Sequence, residues 1–102
     1  MKIKHNVTKR GLYIYLEGEL DEYNGAIAKN KIDNLIEKNS TAPSVVFNMH
    51  GLTFMDSTGI GVLIGRYKKL KNLKIPTYIE NPSFSVDKVF SVSGIYNLIP
   101  KL

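Results

Sequence analysis

Leu12, Ile14 and Leu16 alternate with Tyr13, Tyr15 and Glu17. That period of two predicts a half-buried strand over residues 12–17. A shorter strand over Ile3–Val7 is expected to pair with it across the turn Lys9-Arg10-Gly11. After Gly18-Glu19-Leu20-Asp21 and a polar loop the period changes. Ile27, Ala28, Ile32, Leu35 and Ile36 recur at helical spacing, which predicts a helix up to about Lys38 with Asn24 as its cap. Asn39-Ser40-Thr41-Ala42-Pro43 breaks the chain.

Val45–Met49 is a short, mostly apolar run and reads as a buried strand, followed by a loop over residues 50–56. From Ser57 onward, Ile60, Leu63, Ile64, Tyr67 and Leu70 draw one stripe on a helix. Pro76–Glu80 reads as another strand. Asn81-Pro82 is a helix start, Val86, Val89 and Phe90 give that helix a core face, and Gly94 ends it. Tyr96–Ile99 reads as a last strand or a docked tail. The order β-β-α-β-α-β-α predicts an α/β domain: a mixed, partly parallel sheet packed with helices.

The chain has 102 residues, which suits a single domain over residues 1–102 with one core. There is no cysteine, so disulfides and thiolate metal sites are excluded. His5 and His50 are far apart and stand in no metal-ligand spacing. No metal and no cofactor is expected. The first residues lead into no apolar leader segment, and no run approaches the roughly 18 apolar residues of a membrane span. A soluble cytoplasmic protein with no membrane partner is the expectation. The net charge of +5 raises a nucleic-acid partner, but the lysines are spread along the chain as on solvated helix faces.

The segment Phe54-Met55-Asp56-Ser57-Thr58-Gly59-Ile60-Gly61-Val62-Leu63-Ile64-Gly65-Arg66-Tyr67 starts in a loop and runs into the amphipathic helix. Ser57 therefore stands near a helix N-terminus, where unpaired N–H groups and the helix dipole favour an anion such as phosphate. Gly59 and Gly61 keep the first turn free of side chains, so a partner's backbone could approach closely. The plainer reading is that Asp56 or Ser57 is only an N-cap.

Met55-Asp56-Ser57-Thr58-Gly59-Ile60-Gly61-Val62 resembles the phosphorylation motif of the anti-sigma factor antagonists, members of the STAS-domain family. Gly65-Arg66-Tyr67-Lys68, Gly18-Glu19-Leu20-Asp21 and Ser93-Gly94-Ile95 continue the likeness at the family's spacing, so it covers essentially the whole chain. The Gly-Arg-Tyr-Lys run is closer to the sporulation branch, and the Asp-Ser-Thr-Gly run to the general stress-response branch. Two departures are the stretch Asn81–Ser85, slightly long for the pattern, and the end at Leu102.

The resemblance implies a STAS fold and a partner switch. The unmodified antagonist binds an anti-sigma factor, which then releases its sigma factor. That anti-sigma factor is also an ATP-dependent serine kinase, and a serine phosphatase resets the switch. By this resemblance Ser57 is the phosphorylated serine and Asp56 the acidic residue before it. The implied partner-binding set is Asp21, Tyr23, Asn24, Asp56, Ser57, Thr58, Gly59, Gly61 and Arg66. Asp21 reads equally as a turn aspartate, and Glu19 is a weaker case of the same kind. Lys68, Lys69, Lys71 and Lys74 read as a solvated helix face. Gly65 is expected to permit close packing. The antagonist would act as a monomer and catalyse nothing.

Three rival readings exist. Gly59-x-Gly61-x-x-x-Gly65 is loosely a dinucleotide fingerprint with Glu80 downstream, so a small nucleotide-binding domain is the alternative. The preceding strand is expected to end near Met49, too early for the tight strand-to-helix turn that fingerprint needs. A nucleic-acid-binding α/β domain would explain the charge, yet no strand shows interleaved aromatic and basic residues on one face. A serine hydrolase lacks its Gly-x-Ser-x-Gly elbow and an oriented histidine.

Overall fold

Strand β2 (Gly11–Leu20) is the spine of the sheet. In the computed structural model, which describes residues 1–102, the alternation of residues 12–17 places Leu12, Ile14 and Leu16 fully inside. Tyr13 and Tyr15 are half-buried on the other face. Strand β1 (Lys2–Thr8) runs antiparallel along one edge of β2, with His5 opposite Ile14. The other edge is shared end to end by two parallel strands. β3 (Val45–Asn48) pairs with Leu12–Tyr15, and β4 (Leu52–Met55) with Gly18–Leu20. β5 (Thr77–Glu80) lies outside β3, also parallel. The result is a mixed five-stranded sheet in the order β1-β2-β3-β5 with β4 paired to β2.

Three helices complete the core: α1 (Gly25–Lys38), α2 (Ser57–Asn72) and α3 (Phe84–Ser93). α1 buries Ala28, Ile32 and Ile36, α2 buries Leu63 and Leu70, and α3 buries Val86 and Phe90. These side chains form one apolar cluster with Leu12, Ile14, Leu16, Phe47 and Ile79 of the sheet. Fully burying such a side chain contributes about 1.5–3 kcal/mol relative to leaving it exposed. Parallel pairing points the C-terminal ends of β2 and β4 the same way, so the loop after Leu20 and the start of α2 share one end of the sheet.

The expected elements are present, with local differences. The loop predicted over residues 50–56 contains β4. The strand expected from Pro76 begins at Thr77. α3 starts after Ser83, whose hydroxyl accepts from the Val86 N–H, so Ser83 and not Asn81-Pro82 caps it. Gly94 does end α3, in the left-handed conformation that glycine adopts without a Cβ penalty (φ 79°). Of the two readings of Tyr96–Ile99, the docked tail is the one observed. Ile95–Asn97 is a 3₁₀ turn, Ile95 and Ile99 are buried, and Lys101 bridges to Ile79. Tyr96 donates its O–H to Asp87 of α3, and Lys101 pairs with the same carboxylate at 3.0 Å.

Candidate functional site

Asp56 ends the extended run from β4 with φ −117° and ψ −170°, and the chain turns into α2 at the next residue. Its Oδ1 accepts the N–H of Gly59 at 3.1 Å, an N-cap bond. Its Oδ2 accepts the N–H of Glu22 at 3.2 Å, in the loop between β2 and α1. One carboxylate thus fixes the start of α2 and holds the neighbouring loop against it. Ser57 is the first residue of the helix, and its side chain is exposed, as is that of Thr58. Asp56 is therefore the cap, and Ser57 is not consumed by that role. The Thr58 methyl comes close to Gly25, the first residue of α1.

The two glycines of the first turn have different jobs. A Cβ on Gly59 would stand 2.5 Å from the Leu20 carbonyl oxygen and 2.9 Å from the Met55 side chain. Gly59 is buried and lets α2 lie directly on the ends of β2 and β4. The expectation that it keeps space for a partner is corrected accordingly. Gly61 faces open space, and a side chain there would meet nothing within 4 Å of its Cβ. Gly65 also has no neighbour at that range, so it does not serve close packing as expected.

The loop Asp21–Asn24 lies beside Asp56. Asp21 Oδ1 accepts from the Asn24 N–H at 3.0 Å and from the Asn24 amide at 3.3 Å, which closes the turn. Asn24 stands at the N-cap position of α1, but its side chain makes no cap bond. Its amide donates to the Glu19 carbonyl at 3.0 Å instead, so Asn24 braces the loop and does not cap the helix. Tyr23 projects from this loop and is 92% exposed. Phe54 on β4 and Phe84 on α3 are likewise exposed.

Arg66 does not join this surface. It is buried, and its Nε lies 2.8 Å from Asp33 Oδ1 on α1. The alignment falls short of a directed hydrogen bond at either atom, so charge attraction holds the contact. Lys69 adds a second cation to Asp33 at 3.6 Å. The partner-facing role expected of Arg66 is replaced by a tie between α1 and α2. Sequence reasoning missed this pairing because nothing in a helical spacing says which polar residue turns inward.

No cluster of three or more His, Cys, Asp or Glu side chains assembles anywhere in the chain. The glycine fingerprint offers no phosphate cradle: the Gly59 N–H is taken by Asp56 and its Cβ space by Leu20. No helix is long and apolar enough to cross a membrane.

The STAS domain matches residues 1–102. The chain belongs to the STAS-domain family. Among similar STAS proteins, the anti-sigma F factor antagonist of Lysinibacillus sphaericus is 37% identical over 89 residues, covering 87% of this chain and 75% of that protein. The anti-sigma-B factor antagonist of Bacillus subtilis is 26% identical over 97 residues, 95% of this chain and 84% of that protein. The structure of the anti-sigma factor antagonist SpoIIAA in its unphosphorylated form matches with a TM-score of 0.80 and 31% identity, over 99% of this chain and 88% of that one. The phosphorylated form of SpoIIAA from Bacillus matches with a TM-score of 0.71 and 30% identity, over 99% of this chain and 91% of that one. Among STAS proteins, the relatives are thus regulatory proteins by name, and one neighbour is known in both phosphorylation states.

Proposed function

We propose that this chain is an anti-sigma factor antagonist whose binding is switched off by phosphorylation of Ser57. One observation carries the reading: Ser57 is an exposed hydroxyl on the first residue of α2, left free because Asp56 does the capping. A serine so placed can enter a kinase active site without local unfolding. The helix N-terminus then offsets part of the cost of the added phosphate. Around Ser57 lie Asp56, Thr58, Gly61 and the loop of Asp21, Tyr23 and Asn24, a surface with one exposed aromatic, Tyr23, of the kind interfaces use as an anchor. Gly59 supports that surface from beneath.

The partner is an anti-sigma factor that is also an ATP-dependent serine kinase, and a serine phosphatase reverses the modification. Binding of the unmodified protein would free the sigma factor. The antagonist would work in the cytoplasm as a monomer, without a cofactor and without catalysis of its own. Incubation with the anti-sigma F factor that the Lysinibacillus sphaericus relative is named for antagonising, and ATP, followed by mass spectrometry, tests this. One phosphate on Ser57, absent in Ser57→Ala, is expected. Modification mainly at Thr58, or retained in Ser57→Ala, would sink the assignment.

A further inference from the structure

Helix α3 is apolar on two sides. Val86 and Phe90 are buried in the core, while Phe84 and Val92 are 85% and 83% exposed. Phe84, Lys88 and Val92 recur every four residues, so they lie along one solvent-facing stripe. That stripe borders a groove of about 590 Å³ between α3 and the start of α2. Ile60 and Val89 contribute to its lining, and Ser57 lies on its rim. A surface helix with no binding task would carry polar residues there.

The charge in the groove is specific. Lys88 is its one cation and takes part in none of the five ion pairs of the chain. Asp56 also borders the groove, but both of its carboxylate oxygens already accept backbone N–H groups. The positive end of α2 opens at the same rim.

We propose that this groove is a second anchor for the anti-sigma kinase, taking an apolar segment of that kinase flanked by an acidic side chain that pairs with Lys88. The proposal rests on the function given above. Two features choose this occupant. The groove is continuous with Ser57, the residue the kinase must reach, so a docked kinase covers both. Its free cation and helix end call for an acidic companion, whereas a second copy of this chain would bring the same positive groups to a self-complementary contact. A release mechanism follows. Phosphate on Ser57 places about −1.5 to −2 charges on the rim. That charge repels the acidic flank of the occupant and competes with it for Lys88.

Calorimetry against the purified anti-sigma F factor that the Lysinibacillus sphaericus relative is named for antagonising tests the groove, using unphosphorylated Phe84→Ser, Val92→Ser, Lys88→Gln and Lys88→Glu. These side chains are exposed, so thermal melts should stay close to the original. Binding should weaken roughly tenfold or more for Phe84→Ser and Val92→Ser. Lys88→Glu should bind worse than Lys88→Gln. Unchanged affinity in all four variants, with phosphorylation at Ser57 still abolishing binding, would overturn the groove and leave the switch standing. Normal binding by Lys88→Glu alone would overturn the acidic flank. Sedimentation that shows Phe84→Ser dissociating a dimer of the free protein would assign the groove to a second copy instead. Failure of the unmodified protein both to bind the kinase and to be phosphorylated would count against the function itself.

Discussion

Asp56 and Glu22 are joined across 34 positions of sequence by a 3.2 Å bond from the Glu22 N–H to the Asp56 carboxylate. The same side chain caps α2 through Gly59. The residue before the exposed serine therefore organises both the helix that presents it and the loop beside it. Asp56→Ala removes both bonds. Loss of the cap alone costs about 1 kcal/mol. In a domain of this size that lowers Tm by about 4–8 °C. Hydrogen exchange at Glu22 and Gly59 should rise together. Exchange that rises at Gly59 alone would show that the loop is held by other contacts.

The helices and β2 were legible from a clear period, while β1, β3 and β5 were read as short segments bounded by turn and loop residues. Leu12, Ile14 and Leu16 alternate, and Ile60, Leu63, Tyr67 and Leu70 recur at helical spacing. β4 was not legible. Its burial runs inside, outside, outside, inside over Leu52–Met55, because the register shifts: Gly18 faces Leu52 and Glu19 faces Phe54, which leaves Thr53 as an extra residue on β4. The placement of Asp56 and Ser57 at the start of α2 was legible from the motif. What that motif could not tell was which glycine packs and which faces solvent. The choice depends on the Leu20 carbonyl, a neighbour brought there by the fold. The α2–α3 groove was hidden for the same reason: its walls, Ile60 on one side and Phe84 on the other, are 24 or more residues apart in sequence.

Gly59 and Gly61 should respond in opposite ways. Gly59→Ala pushes a methyl against the Leu20 backbone and should destabilise the fold, with strain of about 1–3 kcal/mol. Gly61→Ala meets no neighbour and removes a flexible helix position, so it should stabilise by up to about 1 kcal/mol. Gly61→Glu should fold normally and lose partner affinity. A thermal melt beside a binding titration separates these effects. Normal binding by Gly61→Glu would remove the first turn from the interface.

Arg66 should matter for stability and not for binding. Arg66→Ala leaves Asp33 with only Lys69 at 3.6 Å. Breaking a fully buried pair costs about 3–5 kcal/mol, and the remaining cation and partial exposure of Asp33 reduce this to about 1–2. Urea unfolding measures it. Weakened partner binding by a fully folded Arg66→Ala would restore the residue to the interface.

The far end of the domain carries a pH dependence. The Tyr96 hydroxyl, and then Lys101, hold the Asp87 carboxyl below its ordinary value of 3.8. A depressed native pKa contributes stability that is present above 3.8 and is lost as pH falls through the native value. Tyr96→Phe should bring Asp87 back toward 3.8 and flatten the loss of stability in that acid range. Carboxyl NMR titration of Asp87 in both proteins reads this directly. An unmoved Asp87 in Tyr96→Phe would assign the effect to Lys101.

Isothermal calorimetry of the partner kinase with unmodified and Ser57-phosphorylated protein tests the switch most directly, with circular dichroism as the control for folding. Disrupting a close polar contact in an interface commonly costs about 2–5 kcal/mol. Phosphorylation is therefore expected to weaken binding by roughly 30-fold to several thousandfold while the fold is unchanged. Ser57→Asp should weaken it less, and Ser57→Ala should bind well and never be released. Equal affinity for the phosphorylated and unmodified proteins would contradict the switch.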